Sequence, residues 1–467
     1  MDAKDKRIAE LERRIVELET LLHAALEENA QLKARIAVLE KNSQNSSKPP
    51  SSDIVKPPPK QQDRRRKRKI GAQKGHAQHI RTPFPSEQVY QTIELKLEAC
   101  PTCGGTLAPA NAPPKKHQQV ELVAKPFIIA EYQQGQYWCA HCQTFHEAKL
   151  PVAVKRAGLF GKNLIALTAY LKGRCHMSFK TLQSFYADVL SLRVSTGFLA
   201  KQIRKVSEAL ERPYEQLVEQ LPKEKHLHVD ETGSKENGKR RWSWCFRAKA
   251  FTVFHVASSR SSAVLEKLLG TDYSGIISCD FFGAYRKFAA MSSATLQFCW
   301  AHLIREVRFL EEHTDKKVSR YCGRLLDSIQ SMYVTIHRRD VLTERTWHRR
   351  MLEHRELILQ SARCRVPSDK EAQNLSERLW KYQDDYFRFI EAGVPSTNNL
   401  CEQSIRRVVL NRKVTQGTRS DWGNRWWERI WSVLSTCEQR GESVMTYLQS
   451  CVAAALHGCT SPMISSG

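Results

Sequence analysis

The stretch "KHLHVDETGSK", residues 225–235, decides the fold. It reads as a short apolar strand that ends in two acids, Asp230 and Glu231. "KRRWSWCFRAKAFTVFHVASS" (239–259) follows as two strands of alternating polarity, a meander. "SAVLEKLLG" (262–270) has helical spacing. "SGIISCDFFGAYRKF" (274–288) is a further strand with Asp280 at its end and an aromatic turn after it.

Strand, hairpin, helix, strand is the order expected of a ribonuclease-H-like α/β domain, with Asp230 on its first strand and Asp280 just after its fourth. If those strands are neighbours, the two carboxylates lie side by side and cannot both ionise cheaply without cations. Two Mg²⁺ ions, or Mn²⁺, would relieve the repulsion, because such ions bind through a few carboxylates, waters and substrate phosphate oxygens. Paired metals can activate an attacking oxygen and stabilise a leaving one. A third carboxylate would complete the set, and "PSTNNLCEQSIRRVVLNRK" (395–413) offers Glu402 on a helix after an Asn-rich turn. Glu402 stands there among Arg406, Arg407, Arg412 and Lys413. Taken singly, each acid also fits a cap or an ion pair, and a surface ion pair is worth little.

The charge of the chain bears on that choice. Of 467 residues, 73 are Lys or Arg and 49 are Asp or Glu, a formal charge of +24. Such an excess favours a polyanion as partner, nucleic acid first. No apolar run reaches the roughly 18 residues of a membrane span, and the N-terminus is charged, without a signal-peptide apolar region. Of the 14 cysteines, four form two Cys-x-x-Cys pairs and the rest are scattered singly. That pattern fits a reducing compartment and a metal site better than an oxidised scaffold.

Toward the N-terminus, Ile8, Leu11, Ile15, Leu18, Leu22, Ala25, Asn29, Leu32, Ile36 and Leu39 alternate spacings of three and four. This heptad pattern predicts a coiled-coil dimerisation helix over 1–41, with Asn29 at an a position that favours an in-register pair. The Ser-, Asn- and Pro-rich stretch after it reads as a linker. It leads into a basic arm, Arg64, Arg65, Arg66, Lys67, Arg68 and Lys69, suited to phosphates without sequence readout. Linker and arm together span 42–85.

Cys100 and Cys103, then Cys139 and Cys142, are two knuckles separated by residues 104–138. They predict a zinc ribbon over 86–155, one structural Zn²⁺ held by four thiolates, with the alternating segment between them supplying strands. His141 and His146 are substitute ligands. Residues 156–222 read as three short helices, a helix-turn-helix-like DNA-binding domain or an ordinary bundle. In the third, Ser195 or Thr196 caps the start, and Leu199, Ile203, Val206 and Leu210 form the buried stripe. That leaves Lys201, Arg204 and Lys205 outward for phosphates.

The ordered set "NSSKPPSSD", "GAQKGH", the Cys knuckles, "HVDETG", "CDFFGAYRKF", "CWAHLIRE" and "TNNLCEQSIRRVVLNRK" resembles the insertion sequence 66 family of bacterial transposases, over nearly the whole chain. The resemblance implies a DDE transposase that cleaves transposon ends and transfers the strands into target DNA, with Asp230, Asp280 and Glu402 as catalytic and magnesium-binding residues. It implies a cytoplasmic, nucleoid-associated protein that other element-encoded proteins assist. Cys299 and His302 resemble a Cys-x-x-His element of several DDE enzymes, here read as structural support. Ala72 and Lys74 stand where the family usually has Gly and Pro, and Thr397 where many members have Asp.

The expectation is therefore a multidomain α+β chain. Its catalytic domain begins at 223–298, is interrupted by a helical insertion at 299–392, and ends in a helical part at 393–467. Two other readings are a non-catalytic DNA-binding descendant and a metal-dependent nuclease of the same fold. Because all three acids are present, the descendant is disfavoured. Zipper and DNA-binding modules favour a paired complex of transposon ends over a simple nuclease.

Overall fold

The computed structural model describes residues 3–39 and 83–464, apart from 96, 98, 100, 105, 107–115, 121, 124 and 125. The linker and the six-residue basic arm from Arg64 to Lys69 lie outside the described residues, as does Cys100. The chain forms two compact units, one of Met1–Pro57 with Gln133–Gly467 and one of Pro58–Tyr132.

In the smaller unit, the Gln118 side chain donates to the Phe84 carbonyl at 2.9 Å and accepts from the Phe84 N–H at 2.8 Å. The alternating segment does not supply the expected strands among its described residues up to Tyr132. Leu122, Ile128 and Ile129 are exposed there, and no described strand pairs with them. A period of two makes a strand only when a partner takes up its N–H and C=O groups.

In the larger unit, α1 (Ala3–Leu39) is one long helix, and every one of its side chains that is described is exposed. A hairpin of β1 (Gln136–Cys139) and β2 (Thr144–Glu147) comes next. Five helices follow: α2 (Val152–Ala157), α3 (Lys162–Gly173), α4 (Phe179–Asp188), α5 (Thr196–Ala209) and α6 (Glu211–Gln220). As expected, Ser195 caps α5 by accepting the Phe198 N–H at 3.1 Å, and Leu199, Ile203, Val206 and Leu210 are fully buried.

The sheet consists of β3 (His226–Glu236), β4 (Lys239–Arg247), β5 (Thr252–Ala257), β6 (Ile276–Cys279) and β7 (Thr295–Phe298), with α7 (Ala263–Leu269) and α8 (Gly283–Met291) between the later strands. Its order is β5-β4-β3-β6-β7. The first three strands are an antiparallel meander, and β6 and β7 run parallel to β3. Five α-helices come between β7 and the closing helices, α9 (Trp300–Glu311), α10 (Lys316–His337), α11 (Glu344–Arg363), α12 (Lys370–Lys381) and α13 (Gln383–Ala392), over the stretch expected to be an insertion. The chain closes with α14 (Asn399–Thr415), α15 (Asp421–Gln439) and α16 (Val444–His457).

Helices cover both edges of the sheet, as an edge strand's unpaired groups require. On β5, the N–H groups of Thr252, Phe254 and Val256 donate to the side chains of Thr436, Ser432 and Glu428 at 3.1, 2.9 and 2.7 Å. Those acceptors recur every four residues on α15, so they share one face of it. On β7, Gln297 accepts the Phe389 N–H at 2.6 Å and donates to the Tyr386 carbonyl at 3.0 Å, which ties the strand to α13. The C-terminal helices also pack on the early ones, α16 on α2, α3 and α5, and α15 on α5 and α6. Residues 156–222 thus share a core with the end of the chain.

Candidate active site

His226, Leu227 and His228 of β3 lie against Ile276, Ile277 and Ser278 of β6. Two residues beyond His228 and Ser278 stand Asp230, still in β3, and Asp280, one residue past the end of β6, so the register brings the two acids abreast. β3 does not end at its acids, as the sequence suggested. It runs on to Glu236 because β4 continues to pair with it, Asp230 against Cys245 and Glu231 against Trp244. Beyond Cys279, β6 stops, and the sheet opens beside Asp230. Both aspartates keep some surface at that opening.

Glu402 arrives in the first turn of α14, which lies against β3 and β4. Asn398, 1% exposed, places that turn. Its amide donates to the Val229 carbonyl at 2.8 Å, and its Oδ1 faces His228 Nδ1 at 3.0 Å. Its main-chain N–H donates to Cys299 Sγ at 3.1 Å. One buried residue therefore joins β3, next to Asp230, through its side chain, and the start of α9 through its main chain, to the start of α14. The sequence marked the Asn pair as a turn but gave no sign of this tie, since the contacts span about the whole insertion.

Burial, with the negative charges of Glu231, Asp280 and Glu402, pushes the Asp230 carboxyl well above the ordinary carboxylate range; the Glu231 N–H, at 2.9 Å, opposes this. Burial also raises Asp280, opposed by the Phe282 N–H at 2.9 Å and by Arg260. Among the described residues neither aspartate has an ion-pair partner.

Glu231 is different. Arg260 donates to its Oε1 at 2.6 Å, and the Tyr285 hydroxyl donates to its Oε2. Arg260 in turn lies over the Phe282 ring at 3.8 Å and the Trp242 ring at 5.0 Å. Glu231 is thus a buried brace: burial and Asp280 still raise its carboxyl, but Arg260 and Tyr285 work against them. Glu402 Oε1 lies 3.4 Å from Arg305 Nη2 and 3.5 Å from His302 Nδ1. Burial and Arg305 push the His302 imidazole down to about 3, and burial pushes the Cys299 thiol up to about 11.

Of the basic residues read as phosphate contacts, Lys201, Arg204, Arg406, Arg407 and Lys413 are exposed. Arg204 lies over the Trp422 ring at 5.5 Å, and Arg407 pairs with Glu438. Arg412 donates to Thr232 Oγ1 at 3.1 Å, two residues from Asp230. Lys205 does not point outward. It turns in, and its ammonium donates to the Arg156 and Ala157 carbonyls, both at 2.8 Å, closing the C-terminus of α2. Those helix-end carbonyls have no partner within their own helix, so they recruit the nearest cation.

Gly417, just after α14, has φ +99, and a Cβ there would meet the Lys235 carbonyl oxygen at 2.3 Å. The Thr418 N–H donates to that same oxygen at 2.9 Å, which pins the exit of α14 to the far end of β3. Away from the acids, Cys139, Cys142 and His146 have one ligand atom each within 4.8 Å of one another on the β1–β2 hairpin. Cys103 belongs to the smaller unit.

Residues 157–425, more than half of the chain, match the family described as Transposase IS66 family. It is the family that the ordered motifs resemble. Residues 2–82 match a family of unknown function (DUF6444). No curated protein matches the chain.

Proposed function

The chain belongs to the Transposase IS66 family, and we propose that it cuts transposon ends and joins them to target DNA at Asp230, Asp280 and Glu402. The observation that carries this is that the β3–β6 register sets Asp230 beside Asp280, where burial and then the charges of Glu231, Asp280 and Glu402 raise the Asp230 carboxyl and, among the described residues, no cation pairs with it. The strand order, with its antiparallel meander and two parallel strands, supports a ribonuclease-H-like catalytic domain. An all-oxygen donor set at an opening of the sheet fits Mg²⁺ or Mn²⁺. Two such ions would be held by Asp230, Asp280 and Glu402, supplying positive charge to the attacking and leaving oxygens of a phosphoryl transfer.

The chain's own residues prepare that centre. The Glu231 and Phe282 N–H groups orient Asp230 and Asp280. Asn398 fixes the turn that delivers Glu402. Arg406, Arg412 and Lys413 extend from the acidic end of α14 along its basic remainder, where they hold DNA phosphates. Arg407, already paired with Glu438, contributes least.

Around this centre we read α1 as the dimerising coiled coil, since its heptad side chains Ile8, Leu11 and Ile15 stand exposed. We read Cys100, Cys103, Cys139 and Cys142 as the zinc set, with His146 as an alternative ligand supported by its place beside Cys139 and Cys142. The basic arm of Arg64–Lys69 and α5 hold transposon-end DNA, and accessory proteins of the element assist.

The test is a labelled duplex carrying the element's own end, with wild type and Asp230→Asn, Asp280→Asn and Glu402→Gln. Mg²⁺-dependent cutting and joining by wild type, lost in all three variants that still bind DNA, is the expected result. Loss in the aspartate variants alone would return Glu402 to an ion pair with Arg305. Binding without cleavage by wild type, accessory proteins included, would favour a DNA-binding descendant.

A further inference from the structure

We propose that Cys299, His302 and Glu402 form a second metal site, one that takes a borderline cation such as Zn²⁺ rather than Mg²⁺. Its carboxylate is also a member of the centre proposed above. The binding itself stands apart from that reading, whereas its effect on catalysis rests on it.

The three donors come from two helix starts. Cys299 sits at the N-cap position of α9, His302 lies three residues on in its first turn, and Glu402 lies in the first turn of α14. One ligand atom from each falls within 4.8 Å of the other two. Tetrahedral zinc with bonds of roughly 2.0–2.3 Å sets its ligand atoms about 3.5 Å apart. His302 Nδ1 and Glu402 Oε1 already stand 3.5 Å apart, and with all three atoms within 4.8 Å of one another the other two distances need close by no more than about 1.3 Å on an ion.

The simpler reading is a histidine that braces Glu402. It fails on His302 Nδ1, which is buried and makes no hydrogen bond. A desolvated polar atom left unpaired costs about 1–3 kcal/mol. A lone pair aimed at a metal gives that atom a use. The sulfur is prepared as well, because Cys299 is 2% exposed and its Sγ accepts the Asn398 N–H at 3.1 Å. That donor partly offsets the burial that keeps Cys299 as a thiol, and a bound metal supplies the rest of the charge that a thiolate needs.

A sulfur, a nitrogen and one carboxylate oxygen select against Mg²⁺ and for Zn²⁺ or its neighbours. On binding, the metal–sulfur bond forms as the thiol proton leaves to solvent. Arg305, 3.4 Å from Glu402 Oε1, is the cation that the metal displaces from that oxygen. Three protein ligands leave a fourth position for water. A metal there holds Glu402 away from the Asp230–Asp280 pair, so Zn²⁺ acts as an inhibitor of Mg²⁺-dependent cleavage.

Co²⁺ tests the site on the full chain, since a thiolate–cobalt bond gives a charge-transfer absorption band. Cys139 and Cys142 supply thiolates of their own, so the readout is a difference. Wild type is expected to bind one Co²⁺ more than Cys299→Ser and one more than His302→Ala, with a matching loss of band, while Asp230→Asn keeps the wild-type thiolate–cobalt band even if it loses oxygen-bound Co²⁺. Thermal melts of each variant show that it is folded. For cleavage in Mg²⁺, the Zn²⁺ concentration that halves each protein's own rate should rise at least tenfold in Cys299→Ser.

Equal Co²⁺ stoichiometry in folded wild type and Cys299→Ser overturns the proposal, even if Glu402→Gln abolishes cleavage and so sustains the catalytic reading. If the extra Co²⁺ disappears in Cys299→Ser, His302→Ala and Glu402→Gln, yet Glu402→Gln still cleaves, the metal site stands and the catalytic role of Glu402 falls.

Discussion

Asn398→Ala removes two hydrogen bonds from the driest part of the site. The Val229 carbonyl, 2.8 Å away, loses its amide donor, and His228 Nδ1, 3.0 Å away, loses Oδ1. Val229 is 0% and His228 4% exposed, so neither group is readily solvated once its partner has gone. Each orphan costs about 1–3 kcal/mol, so the pair costs about 2–6 kcal/mol. The main-chain bond from Asn398 to Cys299 remains, and the variant still folds. At roughly 1 °C per kcal/mol for a chain of this size, Tm falls by at least about 2 °C. Asn399→Ala is the control, because Asn399 is exposed and its loss costs within about 0.5 kcal/mol. Asn398→Asp keeps the acceptor but loses the donor and adds a charge near Asp230, so it melts no higher than Asn398→Ala. Calorimetric melts of the three variants decide the matter. If Asn398→Ala and Asn399→Ala melt within about 1 °C of each other, the tie between β3 and α14 carries no weight.

Asp230→Asn should raise Tm when divalent metal is chelated. The folded-state value of Asp230 lies above its unfolded value, so the wild type is unpenalised where both states are protonated and loses stability as pH rises through the unfolded value toward the folded one. The Asn variant therefore melts higher at pH 7 and the gap closes toward pH 4; coincident melts throughout would remove the argument from uncompensated charge. Lys205→Ala uncaps α2, costs about 1 kcal/mol by analogy with other caps, and leaves DNA affinity unchanged; weaker DNA binding at wild-type stability would restore the outward lysine. Arg406→Ala should lower the slope of log affinity against log salt by about 1, whereas Arg407→Ala, whose partner is Glu438, changes it far less; equal slopes would contradict the division. Deletion of residues 1–41 should turn a dimer into a monomer in sedimentation equilibrium, and an unchanged mass would place the dimer contact elsewhere.

What the sequence made legible was local. The stripe of α5, its Ser195 cap, the β4–β5 meander, α7 and the strand before Asp280 all follow from period and end signals. β7 has only four residues, Thr295–Phe298, too few to show a period, and it went unread. β3 looked shorter because Thr232–Glu236 is polar; pairing with β4, not apolar pattern, extends it. Asp230, Asp280 and Glu402 could be named from residue type and position. Glu231 could not be told from Asp230 as the braced acid, because Arg260 and Tyr285 reach it only through the fold. Lys205 was misjudged for a similar reason, since helical spacing gives a side chain's face but not the carbonyls that another helix brings to it.

The charges of α14 have two explanations that do not compete. An acid in the first turn and Arg412 and Lys413 in the last suit the helix dipole, worth about 0.3–1 kcal/mol at each end. That alone would account for the order of signs, but not for where the acid goes. Asn398 gives up the local role of a capping residue, making no side-chain cap bond to α14, and spends its amide on Val229 instead. The helix start is therefore held by the strand that bears Asp230, and Glu402 joins two acids that make no ion pair among the described residues, although Arg260 acts on Asp280 through its charge. Glu231 shows that the fold can supply cations and hydroxyls to a buried acid when stability is the only demand. On the proposed metal role, leaving Asp230 and Asp280 without an ion-pair partner among the described residues, at the opening where β6 ends, would keep the site unfavourable until a cation enters from outside. In this arrangement the energetic penalty in the empty site and the affinity for metal are the same interaction.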